Sequence, residues 1–202
     1  STDQWFRPMN LRVGPDGALY IVDMYREIIE DYSAIPRFLQ QQYGLDRGSE
    51  HGRIWRLVPT ASVPRTAVDF SQLTNDQLGR AIASSSLWTR LTAQRLLIER
   101  RATSAAASLS KQLGPDASPQ ASIHALYTLD GIGQLAAADV AQALQHPHYG
   151  VRVHALRLSE RWLGEDDRLF EKVTGLQVDA DPAVLLQVAM TLGEAPPSRS
   201  LE

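Results

Sequence analysis

Cysteine is absent from the 202 residues, which excludes disulfides, thiolate metal ligands, a cysteine nucleophile and covalent c-type haem attachment within them. Lysine is scarce: Lys111 and Lys172 apart, the 20 basic residues are arginines, scattered among 23 acidic ones. The net charge of −3 gives no long-range field to draw nucleic acid or an anionic membrane. No run of about 18 apolar residues occurs, so no segment reads as a membrane-spanning helix. Neither a glycine-rich phosphate loop nor a serine nucleophile elbow is visible. What remains is a globular composition, 44% hydrophobic and 21% charged, in a chain long enough to bury a core.

The chain opens on Ser1-Thr2-Asp3-Gln4-Trp5, without a basic segment leading into an apolar stretch, so no signal peptide is expected. It closes on Leu201-Glu202, a pair of the kind cloning junctions leave, and 201–202 is expected to be such a scar. The expectation is a piece of a longer protein.

Character changes near position 60. Most of the aromatics lie before it (Trp5, Phe6, Tyr20, Tyr25, Tyr32, Phe38, Tyr43 and Trp55), and the rest of the chain is rich in the helix formers Ala, Leu, Gln and Arg. Pro59 and Pro64 bracket a stretch that cannot pair regularly, so 59–68 reads as a linker between 1–58 and 69–200. In the first part, Asn10–Val13 and Ala18–Val22 flank Gly14-Pro15-Asp16-Gly17. Asp-Gly between two such runs predicts a hairpin, because glycine accepts the positive φ of a tight turn. The second run is apolar on both faces and is expected to be covered on both. Gly52–Val58 alternates as a third strand, and short helices are expected over Met24–Tyr32 and Pro36–Tyr43.

The second part repeats. Apolar pairs four apart recur at near-constant spacing as Leu78/Ile82, Leu109/Leu113, Val140/Leu144 and Leu169/Val173. A second series follows them with the same period: Arg90/Ala93, Ser122/Ala125, Arg152/Ala155 and Leu186/Ala189. Turn residues divide them at Gly114-Pro115-Asp116, His146-Pro147-His148, Gly164-Glu165-Asp166 and Asp181-Pro182. A helical hairpin of this size cannot bury its apolar face alone, so about four of them are expected to stack as an α-α solenoid.

Few residues invite chemistry. Asp23, Tyr25 and Arg26 follow the second strand, where a rigid sheet can present a loop. Asp23 is either a helix cap or sheet-end residue, or part of a ligand site. Arg7, among aromatics, is either a stacked structural arginine or an anion contact. These four are the candidate binding residues. No catalytic set and no metal set is read: His146-Pro147-His148 lacks further ligands close by, and a metal needs three or four.

The repeats resemble HEAT repeats, whose second helix often carries Val-Arg-x-x-Ala. Val151-Arg152-Val153-His154-Ala155 matches it well and Arg90-Leu91-Thr92-Ala93 loosely, whereas Ser122 and Leu186 stand where the arginine would be. Residues 3–58 resemble the closing β-propeller blade of planctomycete-type membrane-bound dehydrogenases. The resemblance lies in Trp5-Phe6-Arg7-Pro8-Met9-Asn10, in Val13-Gly14-Pro15-Asp16-Gly17 through Asp23-Met24-Tyr25-Arg26-Glu27, in Ser33-Ala34-Ile35-Pro36, and in Gly52-Arg53-Ile54-Trp55-Arg56-Leu57. In that family a propeller similar to quinone-dependent sugar dehydrogenases precedes HEAT-like repeats and a c-type cytochrome domain. Earlier blades and a Cys-x-x-Cys-His segment are missing here. The resemblance therefore implies a mainly α fold, a HEAT-like solenoid after one blade-like β segment. It implies an interaction or spacer segment of an exported, periplasmic or membrane-associated redox protein, with quinone and haem held elsewhere. Its partners would be other domains of the parent or a redox protein, with a homodimer through the orphaned sheet as a further possibility. The alternative is a stand-alone HEAT adaptor.

Overall fold

A computed structural model describes residues 2–29, 34–45, 47–61 and 68–199. The chain forms two compact units, 1–68 and 69–202.

The first unit is an antiparallel sheet in the order β1 (Pro8–Val13), β2 (Leu19–Asp23), β3 (Arg53–Leu57). Gly17, at φ +78°, closes the hairpin, and the Asp16 carboxylate accepts the Ala18 N–H at 3.0 Å, as the Asp-Gly pair predicts. The same carboxylate takes the Tyr20 hydroxyl and the Arg56 Nε at 3.1 and 2.7 Å, tying the turn to β2 and β3. Register places Leu11, Ile21 and Trp55 in one row and Val13, Leu19 and Leu57 in the next, all on one face. That face is open: Leu11, Val13, Trp55 and Leu57 are exposed, and so is Val22 on the other side. The expectation of a strand covered on both faces is thus not met among the described residues. The one helix described in this unit is α1 (Arg37–Gln42), and no extensive contact joins it to a strand. The helix expected from Met24 does not form over 24–29, because Tyr25 takes a left-handed φ of +54° and breaks it; Tyr32 lies outside the described residues.

The second unit is helical: α2 (Asn75–Ala81), α3 (Leu87–Glu99), α4 (Ala106–Ser110), α5 (Pro119–Gly131), α6 (Ala137–Ala143), α7 (Tyr149–Ser159), α8 (Asp167–Thr174) and α9 (Pro182–Gly193). Starts are set by side chains. Thr74 and Gln77 form a capping box, Ser86 and Asp166 cap α3 and α8, and Ser118-Pro119 and Asp181-Pro182 place a cap before an N1 proline. The odd helices α3, α5, α7 and α9 pack in sequence as one layer. The even helices α2, α4, α6 and α8 form the other, with the 3-10 turn Lys111–Leu113 completing the α4–α6 contact.

Every member of the first apolar series is buried in the shared core. The second series holds for three members and slips at the fourth. Ala93, Ala125 and Ala155 are fully buried, but Leu186 and Ala189 are exposed. The buried stripe of α9 is Val184, Gln187, Val188 and Thr191, so Val188 is the residue that answers Ala155. Matching on a small residue selected the wrong face of a helix that is apolar nearly all round.

No helix among the described residues is long and apolar enough to cross a membrane.

Candidate functional site

The four sequence-derived candidates gather at one end of the sheet, around Asp23. β2 and β3 pair Asp23 with Arg53, and alternation puts Arg53 and Trp55 on the same face as the carboxylate. Asp23 is buried, and four donors fill it. Oδ1 accepts the backbone N–H of Arg7 at 2.9 Å and of Tyr25 at 3.0 Å; Oδ2 accepts Trp55 Nε1 at 2.9 Å and Arg53 Nε at 3.1 Å. Burial works to raise its pKa, but the hydrogen bonds from Arg7, Trp55, Tyr25 and Arg53 outweigh it and hold the carboxyl at about 2. A carboxylate so occupied is an anchor and not a proton acceptor at neutral pH.

Arg53 extends the cluster. Its Nη2 meets Asp3 Oδ2 at 2.7 Å and Asp23 Oδ2 at 3.0 Å, and its guanidinium lies 3.7 Å from the centre of the Tyr25 ring and 4.8 Å from that of Trp55. Trp5 meets Tyr25 edge-on at 5.2 Å. Gly48, at φ +85°, lies so close to the Tyr25 carbonyl that a Cβ there would stand 2.5 Å from its oxygen. Two other guanidiniums are turned onto the main chain: Arg7 onto the carbonyls of Gln4, Phe6 and Glu27, and Arg26 onto that of Gly48. The cluster thereby fastens the segments 3–7, 23–27 and 48–53 to one another.

Asp23, Tyr25, Arg7 and Arg26 were found from their place after a buried-looking strand and among aromatics. Arg53, Trp55 and Asp3 were missed. Only the clean alternation of 52–58 hinted that Arg53 and Trp55 share a face, and nothing local joins Asp3 to Arg53, which lies at the far end of the unit's sequence.

In the helical unit two arginines of the second series do the same work. Arg90 Nη1 donates to the carbonyls of Ser84 and Ser85 at 2.7 and 3.0 Å, and Arg152 Nη1 to those of His146 and Pro147 at 2.9 Å each. Each arginine thus caps the turn inside its own hairpin. Polar pairs also bridge consecutive odd helices: Gln94 Oε1 to His124 Nδ1 at 2.7 Å, Tyr127 Oη to His154 Nδ1 at 2.9 Å, and Arg157 Nη2 to Gln187 Oε1 at 3.4 Å. Burial, with Arg90 or Arg157 close by, pushes both histidines below the usual imidazole range. His146 and His148 are engaged with main chain: the His146 Nδ1 accepts the His148 N–H and the His148 Nδ1 accepts the Gly150 N–H, each at 3.0 Å. Among the described residues no three His, Asp or Glu side chains converge as a metal site would require.

A family whose description is "Domain of unknown function (DUF7133)" matches residues 1–61. The chain is similar to that family over the whole sheet and the Asp23 cluster. No curated protein matches the chain.

Proposed function

We propose that this chain is a non-catalytic spacer and docking segment of a larger exported redox protein, of the planctomycete-type membrane-bound dehydrogenase kind. In this reading 69–200 is a HEAT-like α-α solenoid and 1–58 is one blade of a β-propeller completed elsewhere. The partners are the other domains of that parent, or a redox protein, on the periplasmic or membrane-associated side. Any quinone and c-type haem are held outside these residues.

The observation that carries the reading is the recurrence of one arginine grip. Arg90 and Arg152 hold two carbonyls of their own turn in the same way, two hairpins apart, within two layers of stacked helices. Repeats joined through such local contacts make a stiff element whose ends are fixed relative to each other. The open apolar rows of the sheet support the blade reading, since a blade buries its faces against neighbours. The filled state of Asp23 supports a structural and not a catalytic role for the sheet end.

The test is turnover. The purified chain is assayed with sugars and alcohols, with and without a quinone cofactor and an artificial electron acceptor. No turnover above a heat-killed control is expected, and turnover with any such substrate overturns the reading. The second reading, a stand-alone HEAT adaptor, is favoured by one feature: an open groove of about 500 Å³ on α3, lined by Trp88, Leu91, Thr92, Gln94, Arg95 and Ile98.

A further inference from the structure

The helix α9 carries two apolar stripes, and only one is covered. Its inner stripe, Val184–Val188–Thr191, sits in the core. On the outside, Leu186 and Met190 are 64% and 57% exposed, Leu185 is 39% exposed, and Ala189 lies between them.

The step from Ala155 to Val188 shows what these positions do elsewhere. Leu185 answers Arg152, Ala189 answers Leu156 and Met190 answers Arg157. In α7, Leu156 is fully buried, Arg152 is paired with Asp179 of the following hairpin, and Arg157 bonds to Gln187 on α9. One hairpin earlier, Leu126 is likewise fully buried and Tyr127 bonds to His154 on α7. These positions in α5 and α7 therefore meet the next helix of the layer. On α9 they are uncovered, and the groups that made polar contacts have become Leu185 and Met190. A repeat whose outer face meets water carries polar groups there; α9 has shed them.

We propose that the outer face of α9 is an interface between two copies of this chain, packed helix on helix about a two-fold axis. Charge decides for a second copy. A two-fold contact sets residues against their own kind, so a charged residue near the axis meets a like charge. The other long helices carry charges, among them Arg90 and Arg95 on α3, Asp130 on α5 and Arg152 and Arg157 on α7; from Pro182 to Gly193 there is none. Ala189 and Gly193, one turn apart, supply the small residues that allow close approach, as Ala155 does inside the stack. It is the side that α3, α5 and α7 each turn to the next odd helix, here without the polar groups that bridge those contacts and so suited to packing on its own copy. This inference rests on the stacking geometry and the absence of charge on α9, and does not depend on the redox reading.

Sedimentation of the full chain tests it, over roughly 1–200 µM, a range that brackets micromolar association. A dimer that high salt does not weaken is expected. Leu186→Glu with Met190→Glu should raise the dissociation constant at least about 100-fold, the scale of two unpaired charges in an apolar contact, with circular dichroism unchanged. Ile21→Lys, in the sheet, should leave the dimer intact. Because the chain has no cysteine, Ala189→Cys gives an independent readout: mild oxidation should yield a covalent dimer, and Arg168→Cys should not. A monomer throughout the range overturns the proposal. So does a dimer that survives the double glutamate or is lost in Ile21→Lys.

Discussion

Arg152 on α7 and Asp179, two residues before the cap of α9, form an ion pair across the joint between consecutive helical hairpins. Arg152 Nη2 donates to Asp179 Oδ1 at 2.9 Å, and Nε lies 2.8 Å from Oδ2 without its N–H aimed at it. The side chains are only 15% and 8% exposed. Asp179 also accepts the Asp181 N–H at 2.9 Å, so one carboxylate links the arginine of one hairpin to the cap of the next. Burial raises its pKa, but the hydrogen bonds from Arg152 and Asp181 N–H prevail and the net shift is downward.

Arg90 grips its own turn in the same way but makes no ion pair among the described residues; its Nε is buried without a partner, and Asp116, at the position answering Asp179, is exposed. Arg152→Ala removes one side of a largely buried pair and should cost about 3 kcal/mol. Arg90→Ala removes only hydrogen bonds to carbonyls and should cost about 1–2 kcal/mol. Urea denaturation followed by helical ellipticity measures both, and equal losses would mean that Asp179 contributes nothing.

A second expectation concerns acid. Asp23 titrates at about 2 when folded and near 4 when unfolded. A depressed carboxylate pKa contributes stability above the unfolded value, lost as pH falls through the folded one. The sheet should therefore weaken progressively from about pH 4 to pH 2. With Trp88 and Trp162 replaced by phenylalanine, emission from Trp5 and Trp55 reports this unit. Asp23→Asn should destabilise the sheet at pH 7 and flatten the acid limb. An unchanged limb would show that Asp23 is not its source.

Much of the helical unit was legible because its signals are local. Leu78/Ile82 and its successors are one helical turn apart, and breakers such as Asp181-Pro182 stand where caps are needed. The hairpin was legible for the same reason, since Asp16 and Gly17 act on their own turn. The Asp23 cluster was legible only in half. Asp23 and Arg53 are far apart in sequence and meet only because β3 returns beside β2, a pairing that 24–52 does not announce. The left-handed Tyr25 had no signal either, being neither glycine nor asparagine, and it removed the helix expected from Met24.

Arg101 offers a third test, again by comparison between repeats. It ends α3 at φ +48°, where the next hairpin has Gly133 at φ +69°, and the same two backbone bonds close both ends. A side chain in the left-handed region costs about 1 kcal/mol, and glycine avoids it at the expense of a more flexible unfolded chain. Arg101→Gly should stabilise the helical unit by about 0.5 kcal/mol, and Gly133→Ala should destabilise it by about 1 kcal/mol. Chemical denaturation at one fixed pH separates them; a destabilising Arg101→Gly would show that its side chain has a role its backbone conceals.

The last prediction sets Ala155 against Ala189, two alanines that sequence matching treats as equivalent and that the structure places in different surroundings, one in the core and one exposed. Ala155 is fully buried where α7 packs into the stack, so aspartate there would be an unpaired charge without room or water. Ala155→Asp should cost upwards of about 4 kcal/mol and leave little folded helix. Ala189 is exposed, and aspartate in that place keeps its hydration. Measured well below the concentration at which copies associate, Ala189→Asp should unfold within about 0.5 kcal/mol of the parent chain, the usual cost of a surface change. Val188→Asp, one residue earlier, should behave like Ala155→Asp, because Val188 is the buried residue at that step. If Ala189→Asp proved severe and Val188→Asp mild, the fourth hairpin would be rotated from the arrangement described, and the apolar face on α9 would be a core face instead.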